Sequence, residues 1–331
     1  MPRAQSWFER NTFHHSAFSD LGRLVELKRE LGLKVSVCFP TLNEAATIAK
    51  EIVVVKAELA TRFPLVDEIG VIDSGSSDRT REIAAECGAS VWLAEDILPG
   101  LPPLKGKGEN LWKALHVLSG DVVVYVDADI KNIHPRFVYG LLGPILAREG
   151  VKYSKAFYDR PIAVDQRNLK PSGGGRVTEL VIRPLFSLHY PELAEIIQPL
   201  SGEYAGTRDV LEAIPFPIGY GIETSMLIDI LERWGMDVIA QVDLDRRVHR
   251  NQDTLALGRM AFGIMKTFFR KLESSGKASY PAPSADEMIQ FQLDGASYRR
   301  DARRIELVER PPIVGIPEYL AARQAEREGG R

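Results

Sequence analysis

The chain has 331 residues, of which 45% are hydrophobic and 26% charged, a balance typical of a folded protein with one large domain or two small ones. Its 42 basic and 45 acidic residues give a net charge of -3, which argues against the broad basic surface that nucleic-acid binding requires. The two cysteines, Cys38 and Cys87, are too few for a disulfide framework. No apolar run has the length of a membrane helix, and residues 1–15 lack the apolar core of a secretory signal. We therefore expect a cytoplasmic protein without nucleic-acid or membrane partners.

Strands and helices alternate in the first part of the chain. Apolar runs predict strands at 34–39, 66–73, 90–94 and 121–127, and amphipathic segments predict helices at 44–63, 76–88 and 110–120. This alternation predicts a doubly wound, mostly parallel α/β sheet, and in such sheets ligands bind at the carboxyl ends of the strands.

Polar residues follow three of these predicted strands. The first strand ends in Pro-Thr-Leu-Asn-Glu (40–44), the second in Asp-Ser-Gly-Ser-Ser-Asp (73–78) and the fourth in Asp-Ala-Asp (127–129). Carboxylates at positions i and i+2 of an extended chain face the same way and can hold one divalent cation. The spacing alone does not decide, because roughly one Asp-x-Asp is expected by chance. A second copy, Asp243 and Asp245, is assigned to a solvated strand end.

The alternation becomes looser after residue 136. Three glycines, Gly173–Gly175, precede a predicted helix, and a second glycine-led helix contains Glu223. A strand then leads into a loop with His249, and residues 254–272 form a long amphipathic helix. Neither a Gly-x-Gly-x-x-Gly sequence after the first strand nor a P-loop occurs, which argues against a nicotinamide dehydrogenase and a P-loop enzyme. A basic helix face is predicted for Arg299, Arg300, Arg303 and Arg304.

The motifs together resemble a known enzyme family. With the three strand ends, the segments GKGENLW, SGGGRVTELVIRPLF, SGEYAGTR, GYGIET and VHRNQ resemble the retaining GT-A glycosyltransferases of the actinobacterial glucosyl-3-phosphoglycerate and mannosyl-3-phosphoglycerate synthase family, over about residues 5–275. The resemblance implies a GT-A fold with an N-terminal segment (1–33), a nucleotide-sugar-binding half (34–135), an acceptor-binding half (136–275) and a C-terminal extension (276–331).

The resemblance also implies a donor site and a metal. Asp129 and His249 would bind Mg²⁺ or Mn²⁺, a hard cation that neutralises the diphosphate of a nucleoside-diphosphate hexose. Lys107, in a glycine-flanked loop, would reach the phosphates as that loop closes. The implied donor-binding residues are Pro40, Thr41, Leu42, Glu44, Ser74, Lys107, Asp127, Ala128 and Tyr220.

An anion cradle is implied for the acceptor, 3-phosphoglycerate. Backbone N–H groups at a helix N-terminus and the planar fork of an arginine both suit its phosphate and carboxylate. The implied acceptor-binding residues are Gly175, Arg176, Val177, Thr178 and Asn251. The implied catalytic residues are Asp129, Lys107 and Glu223; because the family retains the anomeric configuration, Glu223 is expected to position a hydroxyl or the sugar rather than to act as a base.

The predicted reaction is transfer of a hexosyl unit to the 2-hydroxyl of 3-phosphoglycerate, giving a precursor of a compatible solute or of a polysaccharide primer. We favour mannose from GDP-mannose; glucose from UDP-glucose or GDP-glucose is the alternative. An inverting polysaccharide transferase would share the first three motifs, but its usual Gln-x-x-Arg-Trp motif is absent. An apolar stripe on the helix at 254–272 favours a homodimer, and packing of the stripe onto the sheet is the alternative; the stripe consists of Leu257, Met260, Ala261, Ile264, Met265, Phe268, Phe269 and Leu272.

Overall fold

The computed structural model of the protein describes residues 5–160, 162–163, 169–170, 175–248, 253–281, 285–295 and 297–329. Its helices are α1 (Trp7–Asn11), α2 (Leu21–Glu30), α3 (Ile48–Val55), α4 (Thr80–Glu86), α5 (Lys107–Val117), α6 (Arg136–Ala147), α7 (Arg183–His189), α8 (Arg208–Ala213), α9 (Ile222–Trp234), α10 (Thr254–Ser274) and α11 (Pro317–Gly329). Its strands are β1 (Thr12–His14), β2 (Val35–Thr41), β3 (Glu68–Asp73), β4 (Ser90–Leu93), β5 (Val122–Tyr125), β6 (Tyr153–Asp159), β7 (Ile162–Ala163), β8 (Leu169–Lys170), β9 (Tyr204–Thr207), β10 (Phe216–Pro217), β11 (Ile239–Arg246), β12 (Glu287–Asp294), β13 (Ser297–Arg304) and β14 (Glu309–Arg310).

An eight-stranded sheet lies at the centre of the molecule, in the order β1-β11-β6-β9-β5-β2-β3-β4. Neighbouring strands run parallel except at β9, which is antiparallel to both β5 and β6. The prediction of a doubly wound, mostly parallel sheet is confirmed. Among the described residues, no helix is both long enough and apolar enough to cross a membrane.

Helices cover both faces of the sheet, so its central strands are buried on both sides: all four residues of β5 and six of the seven residues of β2 are buried. Successive residues of β2 alternate between two cores: Val37 and Phe39 face a core built with α2, α3 and α6, whereas Cys38 faces a core built with α5, α9 and α10. All three side chains are fully buried.

The N-terminal segment forms one edge of the sheet. Strand β1 pairs in parallel with β11, placing Thr12 opposite Gln241. Phe18 then packs against the backbone of α6, where a Cβ atom on Gly143 would lie 2.1 Å from the Phe18 ring. This strand was not predicted because three residues are too few to show a periodic pattern.

The prediction of a basic helix face at Arg299–Arg304 is wrong. These residues form β13, which pairs with β12 in an antiparallel hairpin. Neighbouring residues of a strand face opposite sides, so Arg299 and Arg303 share one face and Arg300 and Arg304 the other. The hairpin packs beside α10, where Arg259 donates a hydrogen bond to the Gln290 side chain.

The apolar stripe of α10 is largely used inside the chain. Ile264, Phe268 and Leu272 are buried in the same core as α5 and α9, and Leu257, Met260, Ala261 and Phe269 pack against it. The stripe therefore packs onto the body of the protein, and assembly into a homodimer remains a prediction that light scattering can test.

The last part of the chain is attached to α5 by a buried ion pair. Arg310 of β14 donates two hydrogen bonds of 2.7 Å to the carboxylate of Glu109, and Lys113 lies 3.2 Å from the same group. Glu109 is fully buried and Arg310 is 6% exposed. Trp112 donates a further hydrogen bond to the carbonyl of Pro311.

We predict that Arg310→Ala lowers the free energy of unfolding by about 3–5 kcal/mol, because it leaves the Glu109 charge buried with one cation instead of two. Chemical denaturation measures this loss. Arg300→Ala is the matched control: that side chain is half exposed and should change stability by no more than about 0.5 kcal/mol. Equal effects of the two substitutions would contradict the prediction.

Candidate active site

The carboxyl ends of β2 and β3 are joined by buried hydrogen bonds. Asp73, fully buried, accepts hydrogen bonds from the Thr41 hydroxyl at 2.8 Å and from the backbone N–H groups of Gly75 and Ser76 at 3.0 and 2.7 Å. The Ser76 hydroxyl donates to the same carboxylate. The predicted strand-end motifs therefore form one rigid edge.

Four of the residues predicted to bind the donor, Pro40, Leu42, Glu44 and Ser74, lie along this edge. Pro40 and Glu44 are half-buried, Leu42 is 53% exposed, and the Ser74 hydroxyl donates to the Asn110 side chain at 2.9 Å. The backbone N–H of Glu44 donates to the Thr80 hydroxyl. The exposed Leu42 side chain offers an apolar surface in a rigid polar rim, as a ligand with a flat ring requires.

Lys107 is the first residue of α5, not a residue of the preceding loop as the sequence suggested. Its glycine neighbours allow the start of the helix to lie directly on the backbone after β10. A Cβ atom on Gly106 would lie 2.2 Å from the Ile218 carbonyl oxygen, and one on Gly108 would lie 1.9 Å from that of Pro217. Close backbone approach therefore explains the Gly-Lys-Gly sequence, and it fixes where the Lys107 side chain begins.

The Asp-Ala-Asp segment begins one residue after β5 and forms hydrogen bonds with α3 and with Thr47, the residue before α3. The Thr47 hydroxyl donates to the Ala128 carbonyl at 2.6 Å, and the Glu51 carboxyl accepts a hydrogen bond from the Ile130 N–H at 2.8 Å. Ala128 is buried, and Asp127 and Asp129 flank it on the outer side. Burial raises the pKa of Glu51 well above its usual range, and its hydrogen bond to the Ile130 N–H supports the segment from inside the core.

Two basic side chains, Lys107 and Arg247, form ion pairs with the predicted site carboxylates. The Lys107 ammonium lies 2.6 Å from Asp127 and 3.0 Å from Glu223. One guanidinium nitrogen of Arg247 lies 3.0 Å from Asp127 and 2.6 Å from Asp129. Lys107, Asp127, Asp129 and Glu223 were predicted as site residues, and the structure brings all four together.

The pKa shifts follow from this pairing. Burial would raise the pKa of Asp127, but Lys107 and Arg247 outweigh it and hold this pKa well below its usual range. Burial would likewise lower the pKa of Lys107, but Asp127 and Glu223 outweigh it and raise this pKa above its usual range. Both groups are therefore charged at neutral pH.

Two buried residues of this cluster, Glu203 and Arg247, were not predicted from the sequence. Fully buried Glu203 lies 3.3 Å from Arg247 and accepts a hydrogen bond from Tyr158. Burial raises the pKa of Glu203. Burial also raises the pKa of Tyr158, to about 12. Next to Glu203, a Cβ atom on Gly202 would lie 2.0 Å from the Asp127 carboxylate. The SGEYAGTR segment carried a signal, since a charged residue directly before an apolar strand is unusual in a core.

The residues predicted for the acceptor are placed less completely. Gly175 has a positive φ of 81° and precedes a π-helical turn, Thr178–Ile182, that leads into α7. Val177 and Thr178 are buried, and Arg176 is half-buried. Tyr220, half exposed, lies beside Gly263 of α10. The predicted residues His249 and Asn251 lie outside the described residues.

The cluster has the chemistry of a divalent metal site. Asp129 is the more exposed of the paired aspartates, its side chain being 35% exposed against 24% for Asp127. Arg247 already occupies the position between them, so these oxygens attract a cation there. Hard cations such as Mg²⁺ and Mn²⁺ prefer carboxylate oxygen ligands. The residues therefore fit a metal, provided that Arg247 releases Asp129.

Comparison with known proteins identifies the class of enzyme. The model of the family described as glycosyl transferase family 2 matches residues 36–209, which contain the edge formed by β2 and β3, Lys107 and the Asp-Ala-Asp segment. The chain belongs to this family and is a nucleotide-sugar-dependent hexosyltransferase.

Relatives within the family narrow the resemblance. The chain is 53% identical over 310 residues to glucosyl-3-phosphoglycerate synthase of Petrotoga mobilis, covering 94% of this chain and 95% of the relative. A crystal structure of mannosyl-3-phosphoglycerate synthase from Rubrobacter xylanophilus matches with a TM-score of 0.86 at 38% identity, covering 94% of this chain and 97% of the other. Glucosyl-3-phosphoglycerate synthase from Mycobacterium tuberculosis, in complex with Mn²⁺, UDP and glucosyl-3-phosphoglycerate, matches with a TM-score of 0.80 at 40% identity, covering 92% and 99%. The predicted GT-A fold and the predicted family are confirmed.

The site leads to a test of stability against pH. Lys155, fully buried, donates to the Ser201 carbonyl at 2.6 Å, and burial lowers its pKa to about 7. Between pH 7 and the usual lysine pKa of about 10.4, the unfolded chain holds a proton that the folded protein lacks, so this group makes stability rise with pH in that window. Below pH 7 the full cost of burying the ammonium remains.

We therefore predict that Lys155→Met removes this dependence. The free energy of unfolding of the variant minus that of the wild type should be larger at about pH 6.5 than at about pH 10. This change amounts to ~1.4 kcal/mol for each unit by which burial shifts the pKa of Lys155. Chemical denaturation at several pH values measures it. The lost hydrogen bond to Ser201 adds an offset that does not vary with pH, so parallel stability curves for the two proteins would refute the prediction.

Proposed function

We propose that the protein transfers a hexosyl unit from a nucleoside-diphosphate hexose to the 2-hydroxyl of 3-phosphoglycerate, with retention of the anomeric configuration. The observation that carries the proposal is the cluster of ion pairs at the carboxyl end of β5. There Lys107 pairs with Asp127 and Glu223, and Arg247 pairs with Asp127 and Asp129. Relatives of similar length that are named for this acceptor support it. A cytoplasmic location remains a prediction.

The donor would lie along the edge formed by β2 and β3, with its diphosphate toward Asp129. Leu42, Glu44 and Ser74 border this edge, and Lys107 brings a positive charge to the place where the leaving diphosphate gains negative charge. Because Lys107 now neutralises Asp127 and Glu223, donor binding would exchange these contacts for phosphate oxygens.

A divalent metal would be held by Asp129 together with His249. When bound, it would stabilise the negative charge of the diphosphate as the glycosidic bond breaks. Structures of the Mycobacterium tuberculosis relative contain Mn²⁺ or Mg²⁺ with UDP, which supports these two ions. Arg247 would then remain with Asp127 and Glu203, its two other carboxylate neighbours.

The proposed role of Glu223 is to position the reacting groups. It lies in the first turn of α9, is 7% exposed and is paired with Lys107 at 3.0 Å. Because the resembled family retains the anomeric configuration, we propose that Glu223 holds the acceptor hydroxyl or the sugar in place and does not act as a base. Tyr220, three residues earlier, would border the sugar.

The identity of the hexose is proposed from the relatives. The sequence analysis favoured mannose, and the higher structural similarity to the mannosyl enzyme of Rubrobacter xylanophilus supports it. The relative at 53% identity is named for glucose, as is the Mycobacterium tuberculosis relative. We propose glucose as the main transferred sugar and mannose as the second candidate.

Transfer assays decide between these donors. Purified protein, Mg²⁺ and 3-phosphoglycerate should be incubated separately with UDP-glucose, GDP-glucose and GDP-mannose, and the product identified by mass spectrometry and by the anomeric NMR coupling. We expect an α-linked glucosyl product from an α-linked donor. A higher kcat/KM for GDP-mannose would reverse the sugar assignment, and a β-linked product would rule out retention.

We predict that Asp129→Ala lowers kcat by at least about 10²–10³ while the fold is retained, because one group that stabilises developing charge is lost. EDTA should abolish wild-type activity, and Mg²⁺ or Mn²⁺ should restore it. Asp294→Ala, at the exposed tip of the β12–β13 hairpin, is the matched control and should keep full activity. Full wild-type activity in EDTA would exclude the metal from the reaction.

A further prediction separates acceptor from donor binding. Arg176→Ala should raise the KM for 3-phosphoglycerate and leave nucleotide-sugar affinity unchanged, because it removes a planar charged contact to an anion. Arg176→Lys should rescue little, since lysine lacks the planar fork. Steady-state kinetics and calorimetry with the donor measure the two effects.

Two comparisons control this prediction. Asp129→Ala should show the opposite pattern, with donor binding damaged first. Glycerate without its phosphate should be a poor acceptor for the wild type, because the cationic groups of the cradle would lose their partner. An unchanged acceptor KM in Arg176→Ala would remove the segment Gly175–Thr178 from the acceptor site.

A further inference from the structure

A group of metal-binding side chains lies at the far edge of the sheet, formed by His14, His15 and Asp245. His14 ends β1, His15 follows it, and Asp245 lies near the end of β11, the strand that pairs with β1. The expectation that Asp245 is a solvated strand end is incomplete, because its carboxylate contacts both histidines. Among the histidine, cysteine and acidic side chains that the structure describes, these three lie close enough together to share a metal ion.

The candidate ligand atoms of the three side chains lie close together. Nε2 of His14 lies 2.9 Å from one oxygen of Asp245, and Nε2 of His15 lies 2.8 Å from the other. The candidate ligand atoms all lie within 4.8 Å of one another. Zinc with nitrogen and oxygen ligands at roughly 2.0–2.2 Å requires such atoms to be a little over 3 Å apart, so only small movements are needed.

The second nitrogen of each ring has a hydroxyl partner. Nδ1 of His14 lies 2.7 Å from the Ser16 hydroxyl, and Nδ1 of His15 lies 2.9 Å from the Tyr139 hydroxyl. A hydroxyl can either donate or accept, so it can accept the Nδ1–H proton when Nε2 binds a metal, which is how outer partners orient histidine ligands. The longer bond from the Ser16 N–H to His14, at 3.3 Å, would be given up.

The charges around the group suit a soft-to-borderline dication rather than Mg²⁺. The carboxylate of Asp245 contacts both imidazole rings and would supply the negative charge that attracts a dication. Arg136 lies 3.7 Å from Asp245 and donates its main hydrogen bond to the Leu244 carbonyl, so it would orient the carboxylate from outside and moderate the affinity. Two imidazoles and one carboxylate are typical ligands of Zn²⁺.

Access and backbone conformation also fit a ligand site. The side chains of His14 and Asp245 are both 47% exposed, so an ion can reach them from solvent, whereas His15 is 14% exposed and held in place. Asp245 has a positive φ of 64°, a conformation that is uncommon outside glycine and that aspartate adopts more often than most residues.

We propose that His14, His15 and Asp245 form a second metal site, specific for Zn²⁺ or a similar first-row transition ion and separate from Asp129. The metal clamps the N-terminal segment to β11. Two residues beyond Asp245, Arg247 contacts the site carboxylates, so the clamp fixes the strand end from which the charge cluster is built.

Co²⁺ is the probe, because its visible absorption reports low coordination by imidazole. Tag-free protein carrying Asp129→Asn, which disables the other predicted metal site, should bind one Co²⁺ or Zn²⁺ per chain, develop the visible bands and gain thermal stability with Zn²⁺. His15→Gln in this background should weaken binding by more than the roughly 10–100-fold typical of outer partners, and Tyr139→Phe should fall within that range.

The control and the contrary outcomes are distinct from those of the proposed reaction. His189→Gln, at an exposed histidine remote in sequence from the group, should change neither the spectrum nor the affinity. If His15→Gln fails to fold, Asp245→Asn and Tyr139→Phe still report on the site. Absence of Co²⁺ bands in the Asp129→Asn protein, or bands that persist in both His15→Gln and Asp245→Asn, would overturn the proposal whatever the transfer assays show.

Discussion

The salt bridges of Lys107 and Arg247 to the carboxylates at the end of β5 are the constraint on which the rest of the site depends. Asp127 lies between the two cations, at 2.6 Å from Lys107 and 3.0 Å from Arg247. Through these two cations, the start of α5, the start of α9 and the end of β11 are tied to one aspartate. A charge buried without its partner costs several kcal/mol, so none of these elements can shift without exposing or isolating a charge. The fold and the site are in this sense one electrostatic arrangement.

Close backbone contacts make this arrangement possible. Gly108 lies on the Pro217 carbonyl, Gly202 lies on the Asp127 carboxylate, and Gly221 lies on the Thr267 side chain, each at a distance that no Cβ atom tolerates. Each glycine belongs to a different one of the motifs that suggested the family. These motifs therefore combine charged side chains with glycines. The glycines lack a side chain, so the backbone can approach closely enough to bring the charges within hydrogen-bonding distance.

The central strands could be predicted because their signal is local, and Asp127 and Asp129 were found from their position at a strand end. Lys107 and Glu223 were implied by the resemblance of their motifs to the family. An apolar run of six residues identifies β2, and polar residues at its end follow the general position of ligands in parallel sheets. Glu203 and Arg247 were missed because their meaning arises only when the sheet brings the residue before β9 and the residue after β11 close to the end of β5. Strand β13 was misassigned because its arginines have a spacing that suits a helix. The contacts of the exposed Asp245 were not foreseen because its histidine partners lie about 230 residues away in the sequence.

The buried pair of Arg310 and Glu109 has a consequence for synthesis on the ribosome. Helix α5 carries Lys107 and is translated early, but Glu109 is fully buried and obtains its bidentate partner only from β14. Chains emerge from the ribosome N-terminus first, so most of the sheet can assemble while this carboxylate still lacks its arginine. A chain that ends before residue 310 would therefore leave the Glu109 carboxylate of α5 with Lys113 but without its bidentate arginine partner.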